Sequence, residues 1–206
     1  PAFSARDRIN RAPKSLGFVV LSPRISITPA GQALLTSKRK EEVFFRQMLK
    51  FQIPSPYYKP TAKATSFWVK PYLELLRLVR TMGTLKFDEL QMFGMQLTDW
   101  RNFENIVQKI EAFRIAKVEH QGSYKAFKAE YLRNELTRIF EERIMNGETQ
   151  TRESSDASLD KFLRTQSSNM RDYADACFRY LRATGLVNVS HVGKSLSIVP
   201  ERIEDV

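Results

Sequence analysis

The sequence predicts a mainly α-helical chain carrying small β-hairpins, and three observations lead to that expectation. Apolar residues recur at helical spacing through most of the chain, as in Tyr72, Leu75, Leu76 and Val79 and again in Phe103, Ile106, Val107, Ile110 and Phe113. Two stretches repeat one layout of helix, glycine and two short β-rich runs: residues 4–29, around Gly17, and residues 169–200, around Gly185. Both layouts set arginines on the helix, and the positive excess gathers beside the first. Residues 1–50 hold 10 Lys and Arg against 3 Asp and Glu, whereas residues 151–206 hold 8 of each. A helix followed by such a hairpin is the back half of a winged helix, whose helix enters the major groove of DNA. The expected fold is thus mainly α with small β-hairpin wings, as tandem winged-helix or helix-turn-helix-like DNA-binding subdomains. Residues 1–60 form the first, with a start expected to be truncated. Residues 61–206 form a helical subdomain that ends in a second winged-helix-like element at about 157–206.

Each element follows from local chemistry. Ser4 is placed to cap the first helix, and Asp7 to close a capping box. Ile9, Ala12 and Leu16 share one face, which leaves Arg6, Asn10 and Lys14 on another. Pro13 removes a helix hydrogen bond, so a kink is expected before Gly17 turns the chain. Thr28-Pro29 reads as a cap and a first helical residue, opening a short helix through residue 35. Lys38-Arg39-Lys40 precedes a helix over 41–52, and Pro54, Pro56 and Pro60 make a stiff connector. Further helices are expected over 68–82, closed by Gly83, and over 86–96, 99–117 and 124–145, with Trp100 extending the apolar stripe of the third. Residues 146–156 are polar and aperiodic, and read as a mobile loop. The helix restarts over 159–164. Met170, Tyr173, Ala174, Cys177 and Leu181 then give the core face of a last helix that begins near residue 169.

Composition narrows the function. A chain of 206 residues with 42% hydrophobic and 27% charged residues is an ordinary soluble protein, and its net charge of +10 suits a polyanionic partner. Cys177 stands alone, which excludes a disulfide framework, and His120 and His191 lack metal-ligand spacing. A reducing, intracellular compartment fits best. No apolar run approaches the roughly 18 residues of a membrane span, so no membrane association is expected. The sequence carries no Gly-rich phosphate loop, nucleophile elbow or dinucleotide fingerprint. Asp88-Glu89 and Glu141-Glu142 read as solvated helix faces. A nuclease centre needs carboxylates converging on a metal from neighbouring strands. No expected strand offers them, so the chain by itself is expected to be non-catalytic.

Binding chemistry is better supplied. Arg6 and Asn10 lie one turn apart, and arginine matches guanine O6 and N7 as asparagine matches adenine N6 and N7. Arg8, Arg11, Lys14 and Arg24, with Lys38 and Arg39 beyond the hairpin, are candidates for holding phosphates, which fixes register without reading sequence. In the second unit, Arg171, Asp175 and Arg179 either pair along a solvated stripe or face DNA. Ser167, Ser168, Asn169 and Arg171 are expected at the beginning of that helix, the end that usually enters the groove. Lys194, in the second wing, is a candidate phosphate contact.

These segments resemble the AlwI family of type IIS restriction and nicking endonucleases. The resemblance rests on Phe3-Ser-Ala-Arg-Asp-Arg-Ile-Asn-Arg-Ala-Pro-Lys14, Gly17-Phe-Val-Val20, Ile27-Thr-Pro-Ala-Gly31 and Ala174-Asp-Ala-Cys-Phe-Arg-Tyr-Leu-Arg-Ala-Thr-Gly-Leu186. Weaker similarity runs through residues 42–55 and 75–93. It implies a region that recognises a short asymmetric site on double-stranded DNA, in a bacterial or archaeal cytoplasm. It also implies a separate C-terminal nuclease domain that uses Mg²⁺, expected to lie outside this chain, or a second nuclease subunit. This chain itself is expected to need no cofactor. Arg6, Arg8, Asn10 and Arg11 match the first motif, and Arg179 and Arg182 match the last. Two other readings of the residues stay open: a winged-helix transcriptional regulator, and a helical scaffold whose basic face binds RNA or an acidic partner.

Overall fold

The computed structural model describes residues 13–54, 67–151, 158–190, 192 and 194–205. It is mainly helical with two small antiparallel sheets. Residues 13–15 are helical and lead through Gly17 into a hairpin of β1 (Val19–Val20) and β2 (Ser26–Ile27), in the register Val19↔Ile27 and Val20↔Ser26. The rest of the first helix and its capping residues, 4–12, lie outside the described residues.

Thr28 then caps α1 (Pro29–Thr36) as its sequence implies. Its Oγ1 accepts the Gly31 N–H at 3.0 Å and donates to the Gly17 carbonyl at 2.7 Å, so one hydroxyl starts the helix and ties it to the preceding turn. Gly31 is where α1 meets the chain before β1. A Cβ built there would stand 2.2 Å from the Phe18 carbonyl oxygen, closer than any side chain tolerates, so this approach requires glycine. α2 follows over Lys40–Lys50, slightly shorter than expected, with Glu41 and Glu42 at its positive end.

α3 (Pro71–Met82) begins three residues later than expected. Proline at its first position keeps Lys70 out of the helix, and Trp68 and Val69 instead make isolated bridges to Asp99 and Ile53. Gly83, at φ +68°, turns the chain into β3 (Thr84–Lys86), a strand the sequence pattern did not mark and whose last residue was expected to open the next helix. α4 (Phe87–Met92) starts one residue later than expected and ends four residues earlier, and a 3-10 turn at Gly94–Gln96 takes up the remainder. A second 3-10 turn, Trp100–Asn102, opens α5 (Phe103–Glu119). The expected 124–145 helix divides at Phe140 into α6 (Tyr124–Ile139) and α7 (Glu141–Met145).

The two helices expected over 159–164 and from 169 are one, α8 (Leu159–Arg182), a 24-residue rod about 36 Å long. Its burial repeats at helical spacing through Phe162, Leu163, Ala174, Phe178 and Leu181. Tyr173 departs from the expected core face and is 65% exposed. Gly185, at φ +68°, turns α8 into β4 (Val187–Ser190), which pairs with β5 (Ser195–Ile198). β3 joins the far edge of β5, Leu85 opposite Leu196, giving the strand order β3-β5-β4. Around that sheet the chain runs α3, β3, α4, then the helices of 94–145, then α8 and the hairpin. A closing 3-10 turn spans Pro200–Asp205.

One apolar cluster takes in Leu16, Phe18 and Met48 from the first unit together with Leu75, Leu85, Ile106, Phe178 and Leu196. Aromatic contacts continue the join: Phe18 stacks on Phe44 at 6.2 Å, Phe44 meets Tyr180 of α8 at 6.0 Å, and Tyr180 meets Tyr72 at 5.9 Å. A smaller cluster of Leu136, Phe162 and Leu163 seats the start of α8 against α6. Cys177 packs beside the main cluster, and burial pushes its thiol up to about 12.

Two carboxylates expected on solvated faces do other work. Glu89 is 1% exposed and receives both Nε (2.7 Å) and a terminal nitrogen (2.9 Å) of Arg114 from α5, while the Lys86 N–H donates to it at 2.8 Å. Its neighbour Asp88 takes the Tyr124 hydroxyl at 2.7 Å and pairs with Lys128. These acids therefore bind α4 to the intervening helices. Glu135 is also buried, which by itself would raise its pKa. Hydrogen bonds from Arg138, Gln96 and Lys109 outweigh that and hold the carboxyl below its ordinary range.

Candidate nucleic-acid interface

The surface of interest is the outward side of α8 and the hairpin that follows it. α4 braces that helix at two heights. Phe87 meets Phe178 edge-on at 5.3 Å, and the Gln91 side-chain amide donates to the Ser167 carbonyl at 3.2 Å. With the apolar side of α8 held inward, Ser168, Asn169, Arg171, Arg179 and Arg182 are all exposed. Sequence reasoning put Ser168, Asn169 and Arg171 at the helix start. They lie mid-helix instead, because Phe162 and Leu163 carry the burial a further two turns upstream. The free N–H groups of the terminus are thus at Leu159, not beside these side chains.

Along this side, Arg179 keeps an ion pair with Asp175, Nε to Oδ2 at 3.4 Å, one of the two alternatives its spacing allowed. Lys194 sits in the turn between β4 and β5 in the left-handed region, at φ +43°. Its carbonyl accepts the Phe87 N–H at 2.7 Å, and its ammonium lies 5.0 Å from the centre of the Phe87 ring. The same phenylalanine therefore positions both the hairpin turn and α8.

The first unit contributes separately. Arg6, Arg8, Asn10 and Arg11 lie outside the described residues. Lys14 is half-buried, and Arg24 is exposed between β1 and β2. Lys38 and Arg39 are exposed before α2, with Arg39 3.8 Å from Glu42. Arg39 shares an open cleft of about 530 Å³ with Arg46, Arg202 and Thr184 just past the end of α8, so the fold brings this cation to the second unit. Arg46 and Arg202 went unnoticed in the sequence, where nothing links them to Arg39. The fold also exposes two tryptophans, Trp68, expected to open a helix, and Trp100, expected in the apolar stripe of the helix over 99–117. Trp68 is 62% and Trp100 51% exposed, beside a cleft of about 340 Å³ with Ile53, Pro54 and Leu73.

Among the described residues, no three His, Cys, Asp or Glu side chains group together as a metal-binding cluster would. No helix among them is long and apolar enough to cross a membrane.

Comparison with known families places the chain among the restriction endonucleases. Within that class it belongs to the AlwI restriction endonuclease family, whose model matches residues 14–206. Membership makes DNA its partner, restriction–modification its setting and a type II restriction enzyme its role. The segment 3–13, part of the motif that resembles this family, precedes the matched residues. No protein of curated function matches the chain.

Proposed function

We propose that this chain is the part of a type IIS or nicking endonuclease that recognises a short asymmetric site on double-stranded DNA, with cutting by a separate Mg²⁺-dependent nuclease domain or subunit. The observation that carries this reading is the order β3-β5-β4 joined to α3, α4 and α8. Helix, strand, helix, recognition helix and a hairpin whose second strand pairs with the first strand is the plan of a winged helix. α8 is its reading helix, the β4–β5 turn is its wing, and residues 94–158 are an insertion. The hairpin β1–β2 beside Arg24 belongs to a second such unit at residues 1–60. In this reading Arg171 and Arg179 face base edges or phosphates, and Lys194 and Arg24 hold phosphates. Arg6, Arg8, Asn10, Arg11 and Lys14 play the same parts in the first unit, and Ser168, Asn169, Arg182, Lys38 and Arg39 complete the surface.

Duplex binding that weakens steeply with salt tests the proposal. Each phosphate contact contributes about −0.9 to the slope of log K against log[salt]. Contacts by Arg24, Lys194 and a few neighbours therefore require a slope steeper than roughly −3. Stronger retention on structured RNA or an acidic peptide than on duplex DNA at the same salt would count against it.

A further inference from the structure

We infer that Asp172, on the outermost ridge of α8, accepts a hydrogen bond from the exocyclic amine of a cytosine in the bound duplex. The inference rests on the DNA-reading role proposed above for that helix. Helical spacing opposite the buried Ala174, Phe178 and Leu181 puts Ser168, Asp172, Asp175 and Arg179 on the side turned furthest from the core, and all four are exposed. Asp175 has a cation, Arg179, at 3.4 Å. Asp172 has no such partner among the described residues. Its neighbours one turn away are Ser168, Asn169, Asp175 and Ala176: one is a like charge and none is a cation. Like charges one turn apart destabilise a helix, and phosphates nearby would repel the carboxylate again.

A carboxylate on a reading face is accounted for when a base edge donates to it. The major groove presents two such donors, cytosine N4 and adenine N6. Adenine sets the N7 lone pair beside N6, which repels a carboxylate and suits an amide. Cytosine sets a neutral C5–H beside N4, so a carboxylate selects cytosine.

The test compares the full chain with its Asp172→Ala and Asp172→Asn variants on duplexes that differ from the preferred site at one base pair. At one pair the wild type prefers cytosine by about tenfold or more, on the scale of a good base contact. Asp172→Ala loses that preference alone, and Asp172→Asn moves it to adenine, whose N6 and N7 match an amide. Both variants melt with the wild type, since the side chain is exposed. An unchanged cytosine preference in Asp172→Ala overturns the inference and leaves the DNA-reading role standing. A wild type without preference at any pair overturns both.

Discussion

Replacing Arg114 with alanine lowers the thermal midpoint by about 6–12 °C, the expected result of removing one partner from a buried ion pair in a chain of this size. Glu89 has almost no contact with water, and Arg114 supplies two of its donors. Without the guanidinium, a carboxylate stays buried with the Lys86 N–H as its remaining donor among the described residues. Breaking such a pair costs about 3–5 kcal/mol, and the partial exposure of Arg114 puts this one near the lower figure. The same arginine also bonds the Thr84 carbonyl, so the variant loosens β3 as well as α4. Replacing both partners with apolar residues, Glu89→Leu with Arg114→Met, recovers most of the loss, because no charge is then stranded. Differential scanning calorimetry of the three chains decides it. A midpoint within 2 °C or so of wild type in Arg114→Ala would show that the pair does not secure α4.

The second large effect is on binding. Changing Arg171, Arg179 and Lys194 together to alanine is expected to lower duplex affinity at least about 100-fold, since arginine contacts to bases are worth roughly 1–3 kcal/mol each. All three side chains are exposed, so the melting midpoint stays near that of wild type. The salt slope becomes shallower by about one for each phosphate contact removed. Anisotropy titrations with a labelled duplex at several salt concentrations give both numbers at once. Unchanged affinity would move the DNA-binding surface away from α8 and its hairpin.

Much of this was legible because local chemistry and tertiary packing agree. Thr28-Pro29 starts α1, Gly185 turns α8 into a hairpin, and the stripe from Phe103 to Phe113 is buried throughout. Elsewhere distant partners override the local signal. Ser167-Ser168-Asn169 looks like a helix start, because such residues favour caps. Burial of Phe162 and Leu163 and the bond from Gln91 to the Ser167 carbonyl carry the helix straight through. β3 is three residues long, too short for alternation to register, and it exists because β5 pairs with it. Glu89 reads as a surface acid until Arg114, 25 residues away, is placed against it. On the outward side of α8, the exposure of the arginines follows from their spacing. Arg171 alone stands at another height than expected, mid-helix instead of near the start, because height depends on where the helix begins.

A DNA-reading chain must distinguish one DNA sequence from another. Selection of bound duplexes from a fully randomised pool tests that directly. The expected result is enrichment of one short, asymmetric sequence that loses affinity at each substituted pair. A pool that stays random after repeated rounds would contradict it, and a palindromic winner would point to a paired, symmetric reader instead.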